Sequence, residues 1–150
     1  MRPVSALKPF SPYRSRPEKN ENMNQEPQKN VILCIEDEPD IRTFCLRILE
    51  LEGYVCLRAE KPAEVIKTAQ NRSIDLILLD LRLTEDDGWS ILKKLKDDPK
   101  TTGIPVIVFT ASYATSKKER AFSMGASEYL VKPLSARKLK DAVSRVVPLK

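Results

Sequence analysis

The segment VILCIEDEP, residues 31–39, is an apolar run that ends abruptly in acidic residues. Five consecutive apolar residues are typical of a short strand that is buried on both faces, as the strands of parallel sheets are. A proline after a polar turn is typical of the first turn of a helix. The segment therefore predicts a strand at Val31–Ile35 and a helix that begins at Pro39.

The same alternation continues to the end of the chain. Short apolar runs predict further strands at 54–57, 76–79, 106–109 and 128–131, and helical spacing predicts helices that begin at residues 39, 62, 89, 116 and 133. Five strand–helix units of this kind predict an α/β fold with a doubly wound, five-stranded parallel sheet. In the strand order 2-1-3-4-5, which such sheets commonly adopt, the first and third strands are neighbours.

Composition indicates one folded domain with a basic extension. The 150 residues include 41% hydrophobic residues, and 26 basic against 21 acidic residues give a net charge of +5. Residues 1–30 hold six basic and three acidic residues, so +3 of that charge lies there. We predict a disordered, basic, Pro-rich extension over 1–29 and a folded domain over 30–150. Translation from Met1 and from Met23 both agree with this division.

The residue types that are missing exclude several kinds of site. The chain has no histidine, which excludes histidine-based metal sites, catalytic triads and a phosphohistidine within this chain. Its three cysteines have neither CxxC nor zinc-site spacing, and they are interpreted as buried thiols in a reducing cytosol. Because no membrane-spanning run or signal-peptide pattern occurs, we expect a cytoplasmic protein that does not bind membranes.

Polar side chains follow the predicted strands. Glu36 and Asp37 follow the first strand, and Asp80 follows the third. The carboxyl ends of parallel strands lie along one edge of the sheet, so these carboxylates are expected to meet there. Each acid alone is also an ordinary loop or helix-cap residue. Together, carboxylates that crowd at one edge repel unless a cation compensates them, and they predict a Mg²⁺ site.

A hydroxyl and an ammonium complete the predicted pocket. Thr110 follows the fourth strand and Lys132 follows the fifth, and both are typical partners of phosphoryl oxygens. Taken alone, they are a common strand-end residue and a common surface lysine. A cis bond between Lys132 and Pro133 is a further hypothesis, because it would fix the direction of the lysine.

Taken together, these segments resemble the response-regulator receiver domain, the phosphoacceptor half of two-component signalling. The resemblance covers about residues 31–147 and implies a flavodoxin-like (βα)5 fold, in agreement with the sheet predicted above. The matching segments are VILCIEDEP (31–39), DLILLD (75–80), DG (87–88), FTA (109–111) and EYLVKP (128–133).

The resemblance implies a role for each residue of the pocket. Asp80 resembles the phosphoacceptor, and Glu36 and Asp37 resemble the acidic metal pair. Asp80 and the backbone carbonyl of Arg82 would supply further ligands to Mg²⁺. Lys132 is similar to the lysine that pairs with the phosphoryl group.

The resemblance also implies a conformational switch. Thr110 resembles the switch hydroxyl, and Tyr129 resembles the aromatic residue that turns inward when Thr110 moves. Without the resemblance, Tyr129 would be interpreted as a half-exposed strand aromatic. The fourth helix, fifth strand and fifth helix would form the output surface, and its basic residues are interpreted as a solvated face rather than a nucleic-acid patch. The phosphoryl donor would be a partner histidine kinase or histidine phosphotransfer protein.

Two departures from the family pattern lie near Asp80. Thr84 stands where the family usually has proline, so we expect a more mobile loop at 81–87. Arg82 occupies a variable position, from which it would shield the phosphoryl group from water or pair with Glu85.

Other functions remain as alternatives. A haloacid-dehalogenase-type phosphatase would need an acid where Arg82 stands, and the glycine-rich loops of nucleotide enzymes are missing. A phosphorylation-independent interaction module on the same fold, and a tail that binds nucleic acid, stay open. No output domain follows the fifth helix, so the expectation is a single-domain response regulator that is not a conventional enzyme but catalyses its own phosphorylation and dephosphorylation.

Overall fold

Within the described residues, five parallel strands form one sheet in the order β2-β1-β3-β4-β5. The structure, a computed structural model, describes residues 29–82 and 88–148. The strands are β1 (Val31–Ile35), β2 (Val55–Arg58), β3 (Leu76–Asp80), β4 (Val106–Thr110) and β5 (Glu128–Val131). The helices are α1 (Pro39–Leu51), α2 (Pro62–Asn71), α3 (Gly88–Asp97), α4 (Thr115–Ser123) and α5 (Ala136–Val146). The predicted fold class and strand order are confirmed.

The helices cover the sheet on both faces. One apolar layer lies between the sheet and helices α2, α3 and α4, with Val65, Leu92 and Ala121 in contact with the strands. The opposite layer lies between the sheet and helices α1 and α5, around Leu49 and Val143. Strands β3 and β4 are central and fully buried, which is why each is apolar up to its last residue. Those last residues, Asp80 and Thr110, were predicted to follow the strands and instead end them.

Helix ends follow their local sequence signals closely: α3 and α4 begin one residue before their predicted starts, and only α5 begins farther away. Helices α1 and α2 begin at prolines, and α1 ends before Gly53, whose φ of 103° favours glycine. Helix α5 was predicted from Pro133 but begins at Ala136, because the Ser135 hydroxyl accepts a hydrogen bond from the Lys138 N–H and caps it. The second predicted strand was placed one residue too early.

Tyr54, the residue wrongly assigned to that strand, has a different structural role. Its side chain is buried, and its hydroxyl donates to the Val147 carbonyl over 2.8 Å. Asn30 is also buried and donates to the Pro148 carbonyl over 2.9 Å. These two hydrogen bonds tie the residues after α5 to the amino-terminal end of the sheet.

The three cysteines are free thiols, as their spacing predicted. Cys34 and Cys45 are buried, whereas Cys56 is only half-buried because β2 is the edge strand. Burial raises the pKa of Cys45 to about 11 and that of Cys56 to about 12. Because these folded-state values lie above the ordinary 9.0, the thiols stay protonated below pH 9, and their contribution to stability is lost as the pH rises through 11 to 12.

We therefore predict slow alkylation of Cys45 and Cys56 in the folded protein. At pH 8 their thiolate populations are about a hundredfold or more below that of an ordinary thiol. The measurement is iodoacetamide labelling followed by peptide mass spectrometry, with the urea-unfolded chain as control. Equal labelling rates in the folded and unfolded chains would contradict the prediction.

Two sets of expectations lie outside the described residues. The predicted extension falls almost wholly in 1–28, and the Thr84 departure and the Arg82–Glu85 pairing involve 83–87. None of the helices in the described ranges combines the length and the apolarity that crossing a bilayer requires.

Candidate functional site

Three acidic side chains meet at the carboxyl edge of the sheet. Glu36 and Asp37 directly follow β1, and Asp80 is the last residue of β3. Because Ile35 pairs with Leu79 in the β1–β3 ladder, the two strand ends lie side by side. Each acid offers one carboxylate oxygen, and these three atoms lie within 4.8 Å of one another. The structure thus places the three predicted metal ligands together.

Lys132 closes the acidic pocket from the end of β5. Its Nζ donates to Glu36 Oε1 over 2.5 Å and to Asp80 Oδ2 over 3.0 Å. The lysine side chain is 12% exposed, and the two carboxylates are 0% and 4% exposed, so these are buried ion pairs. The Lys132–Pro133 bond is cis, as hypothesised. The ammonium also lies 4.9 Å from the centroid of the Phe109 ring.

Burial and pairing shift the ionisation of this cluster. Burial raises the pKa of Glu36 above its ordinary value, and the hydrogen bond from Lys132 opposes part of that shift. For Lys132, burial alone would lower the pKa, but the hydrogen bonds to Glu36 and Asp80 outweigh it and raise the pKa. Glu36, Asp37, Asp80 and Lys132 together carry a formal charge of −2, from three carboxylates and one ammonium.

Backbone donors hold the second oxygen of each buried acid. The N–H of Glu38 donates to Glu36 Oε2 over 3.1 Å. The N–H of Arg82 donates to Asp80 Oδ1 over 3.0 Å. Both buried carboxylates are therefore fixed by one backbone amide and by the same lysine, so their positions are set before any ligand arrives.

Gly88 packs against the backbone that leaves Asp80. Its N–H donates to the Leu81 carbonyl over 3.1 Å. A Cβ at Gly88 would lie 2.4 Å from the carbonyl oxygen of Asp80 and 2.5 Å from Cα of Leu81. Gly88 belongs to the Asp87–Gly88 segment of the family resemblance, and the structure shows why the end of β3 requires the absence of a side chain here.

The two predicted switch residues occupy neighbouring strands. Thr110 is the last residue of β4 and is buried, and its carbonyl accepts a hydrogen bond from the Lys132 N–H over 2.8 Å. Tyr129 in β5 is also buried, and its hydroxyl donates to the Ser112 carbonyl over 3.0 Å. Tyr129 is therefore turned inward and tied to the segment after β4, and it is not half-exposed.

Arg42 is a site residue that the sequence analysis missed. Its Nη1 donates to the backbone carbonyl of Glu36 over 2.9 Å. Its position in the first turn of α1 was the one feature of the sequence that could have indicated this contact, because a long side chain there points back toward the start of the helix. Nothing in the local sequence indicates that this side chain meets a backbone carbonyl of the acidic segment.

The donor set of the pocket fits Mg²⁺. Mg²⁺ prefers oxygen ligands, uses one or two carboxylates and completes its shell with water and phosphate oxygens. Glu36, Asp37 and Asp80 supply carboxylate oxygens only, and the formal charge of −2 matches a divalent cation. Arg82, whose backbone carbonyl is the further predicted ligand, is exposed and lies two residues after Asp80. Its N–H donates a hydrogen bond to Asp80 Oδ1.

Comparisons with known proteins agree with this geometry. The model of the response regulator receiver domain matches residues 32–144. The phosphate regulon transcriptional regulatory protein PhoB of Pseudomonas aeruginosa is 38% identical over 108 residues, which cover 72% of this chain and 47% of PhoB. The chain thus spans about half the length of this curated relative.

Solved structures show the same fold. A two-component response regulator from Clostridium difficile is 28% identical with a TM-score of 0.73. The match covers 79% of this chain and 96% of the Clostridium difficile chain. A CheY-like receiver domain protein from Methanospirillum hungatei is 25% identical with a TM-score of 0.72, covering 79% and 93%. Receiver domains are signalling modules that generally bind Mg²⁺ at an acidic pocket. This chain belongs to the response regulator receiver domain family of two-component signalling.

Proposed function

We propose that this chain is a response regulator that accepts a phosphoryl group on Asp80 in a Mg²⁺-dependent reaction. The donor is the phosphohistidine of a partner histidine kinase or phosphotransfer protein, since this chain has no histidine of its own. The observation that supports the proposal is the buried contact of Lys132 with both Glu36 and Asp80, beside Asp37. An ammonium that neutralises a carboxylate nucleophile is what phosphoryl transfer to an aspartate requires.

The transfer step exchanges one bond to phosphorus for another. A carboxylate oxygen of Asp80 attacks phosphorus, the P–N bond to the partner's histidine breaks, and the imidazole leaves with the electron pair and takes a proton. Lys132 balances the charge that gathers between the carboxylate and the phosphoryl oxygens. The Arg82 N–H and Lys132 hold the two oxygens of Asp80, which limits reorientation of the nucleophile. Mg²⁺, when bound, neutralises phosphoryl charge and orients the group.

The signal would follow from rearrangement around the new phosphoryl group. The aspartyl phosphate adds charge and strong acceptor oxygens, toward which the Thr110 hydroxyl and Lys132 are expected to move. The Lys132 N–H donates a hydrogen bond to the Thr110 carbonyl, and the Tyr129 hydroxyl donates one to the Ser112 carbonyl. Movement of Thr110 would therefore be passed to the end of β5 and to the segment after β4. We propose the α4–β5–α5 face as the surface that changes.

A small phosphodonor tests the proposal without the partner kinase. Purified protein is incubated with acetyl phosphate and Mg²⁺, and its intact mass is measured. The expected result is addition of one phosphoryl group to the wild type and none to Asp80→Asn. The alternative is a phosphorylation-independent interaction module on the same fold. It predicts no added mass in either protein and binding to a partner that Asp80→Asn leaves unchanged.

Receiver domains also occur within larger signalling proteins. The histidine kinase P4 of Formosa agariphila matches 85% of this chain with 9% of its own length, so this domain type also occurs in much larger signalling proteins. A pull-down that compares wild type with Asp80→Asn, each with and without acetyl phosphate, would find partners that distinguish the states. We propose the cytoplasm as the location, because histidine kinases draw their phosphoryl groups from ATP there.

Arg82 is proposed to protect the phosphoryl group from water. Arg82 is exposed, and its backbone N–H donates a hydrogen bond to Oδ1 of Asp80, the proposed phosphoacceptor. We predict that Arg82→Ala shortens the half-life of the phosphorylated protein severalfold, because water gains access to phosphorus. The measurement is loss of the phosphorylated mass after removal of the donor, with the exposed Arg47→Ala in α1 as control. An unchanged or longer half-life would count against shielding.

A further inference from the structure

We propose that Arg42 is a positioning residue for the acidic pair, an inference that rests on the proposed function. Arg42 lies in the first turn of α1 and is half-buried. Its Nη1 donates to the backbone carbonyl of Glu36 over 2.9 Å. That carbonyl belongs to the peptide that joins Glu36 to Asp37, so one hydrogen bond acts on the link between two of the three proposed metal ligands.

The Glu36 carbonyl needs a partner from outside the sheet. The last residue of β1 that pairs with β2 is Cys34, and the last that pairs with β3 is Ile35. Glu36 therefore lies beyond both strand pairings. Glu36 itself is 1% exposed, and buried backbone carbonyls are nearly always hydrogen-bonded. The guanidinium of Arg42 fills this role with a charged donor, which makes a stronger hydrogen bond than a neutral one.

Loss of this hydrogen bond would loosen the backbone that carries the acidic pair. A shift of the Glu36–Asp37 peptide changes the backbone torsions beside both residues, so the two carboxylates would be held less firmly opposite Asp80. The Glu36 side chain is separately held by Lys132 and by the Glu38 N–H. The expected effect is therefore a loosened segment in a folded protein, and not unfolding.

The experiment compares three substitutions. Arg42→Met keeps the volume of the aliphatic part of the side chain without a donor, Arg42→Lys keeps a donor and the charge, and Arg47→Met is the control at an exposed arginine of the same helix. Two quantities are measured: the Kd of Mg²⁺ by calorimetry, and the amide exchange rate of Glu38 by NMR without Mg²⁺. Arg42→Gln, too short to reach the carbonyl, replaces Arg42→Met if that variant does not fold.

We expect Arg42→Met to raise the Kd of Mg²⁺ about tenfold, as loss of groups that orient metal ligands typically does. Glu38 amide exchange should accelerate, because its acceptor Glu36 Oε2 is less fixed. Arg42→Lys should recover most of both effects, and Arg47→Met should match the wild type. Phosphorylation of Arg42→Met by acetyl phosphate should return to the wild-type rate at saturating Mg²⁺.

Unchanged Mg²⁺ affinity and Glu38 exchange in Arg42→Met would overturn the inference. So would an equal loss in Arg47→Met, or no recovery in Arg42→Lys. The proposed function fails separately: a wild type that binds Mg²⁺ but takes no phosphoryl group from acetyl phosphate contradicts that function and leaves the Mg²⁺ comparison of the Arg42 variants intact.

Discussion

Replacing Lys132 by Met is expected to lower the free energy of unfolding by about 3 to 5 kcal/mol in the absence of divalent cations. The ammonium is the shared partner of Glu36 and Asp80, and all three side chains are almost fully buried. Without it, two like charges remain close together in a region that solvates them poorly. Methionine keeps most of the volume of lysine, so the effect reports charge and hydrogen bonding rather than a cavity.

Urea denaturation of Lys132→Met measures this loss, with Lys140→Met as the matched control. Lys140 lies 3.9 Å from Glu52, and both side chains are about two-fifths exposed, so that pair should contribute about 0 to 1 kcal/mol. Addition of Mg²⁺ should restore much of the stability of Lys132→Met, because a cation again lies among the carboxylates. A loss below about 1 kcal/mol would show that the buried pairs do not hold the pocket together.

The second large effect is expected for Gly88→Ala. A methyl group there would lie 2.4 Å from the Asp80 carbonyl oxygen and 2.5 Å from the Leu81 Cα, both backbone atoms that cannot rotate away. We expect destabilisation of about 3 kcal/mol, at the upper end for an overpacked site, since β3 or α3 must shift. Asp80 ends β3, so the shift should also weaken Mg²⁺ binding.

Gly103→Ala is the control, because a Cβ at Gly103 meets nothing within 4 Å. Thermal melting and Mg²⁺ calorimetry on both variants give the comparison. If Gly88→Ala melts with the wild type and binds Mg²⁺ equally well, the close approach of α3 to the end of β3 is not a requirement of the site.

Much of the fold was predictable because the sheet is covered on both faces. Burial makes β1, β3 and β4 apolar runs, and each run ends at a buried polar residue at the carboxyl edge of the sheet, namely Glu36, Asp80 or Thr110. The edge strand β2 is half-exposed, and the apolar run that predicted it includes Tyr54, which is buried just before the strand, so its start was misplaced by one residue. Helix α5 was misplaced at its start because a proline signal and a serine cap lie close together, and the cap prevailed.

The site was predictable only as far as strand ends determine it. The topology brings Glu36, Asp37 and Asp80 to one edge, and the structure confirms that they meet. Contacts that depend on how long side chains turn were not predictable: the Arg42 hydrogen bond to the Glu36 carbonyl and the Tyr129 hydrogen bond to the Ser112 carbonyl both end on backbone atoms. Every residue has a backbone carbonyl, so no residue pattern indicates which carbonyl a side chain will contact.

The most direct test maps the phosphorylated residue. Wild-type protein is treated with acetyl phosphate and Mg²⁺, reduced with borohydride, which converts an aspartyl phosphate to homoserine, and sequenced by tandem mass spectrometry. The account predicts homoserine at position 80 and at no other aspartate. An unmodified Asp80 in wild-type protein that binds Mg²⁺, or homoserine at another position, would contradict it.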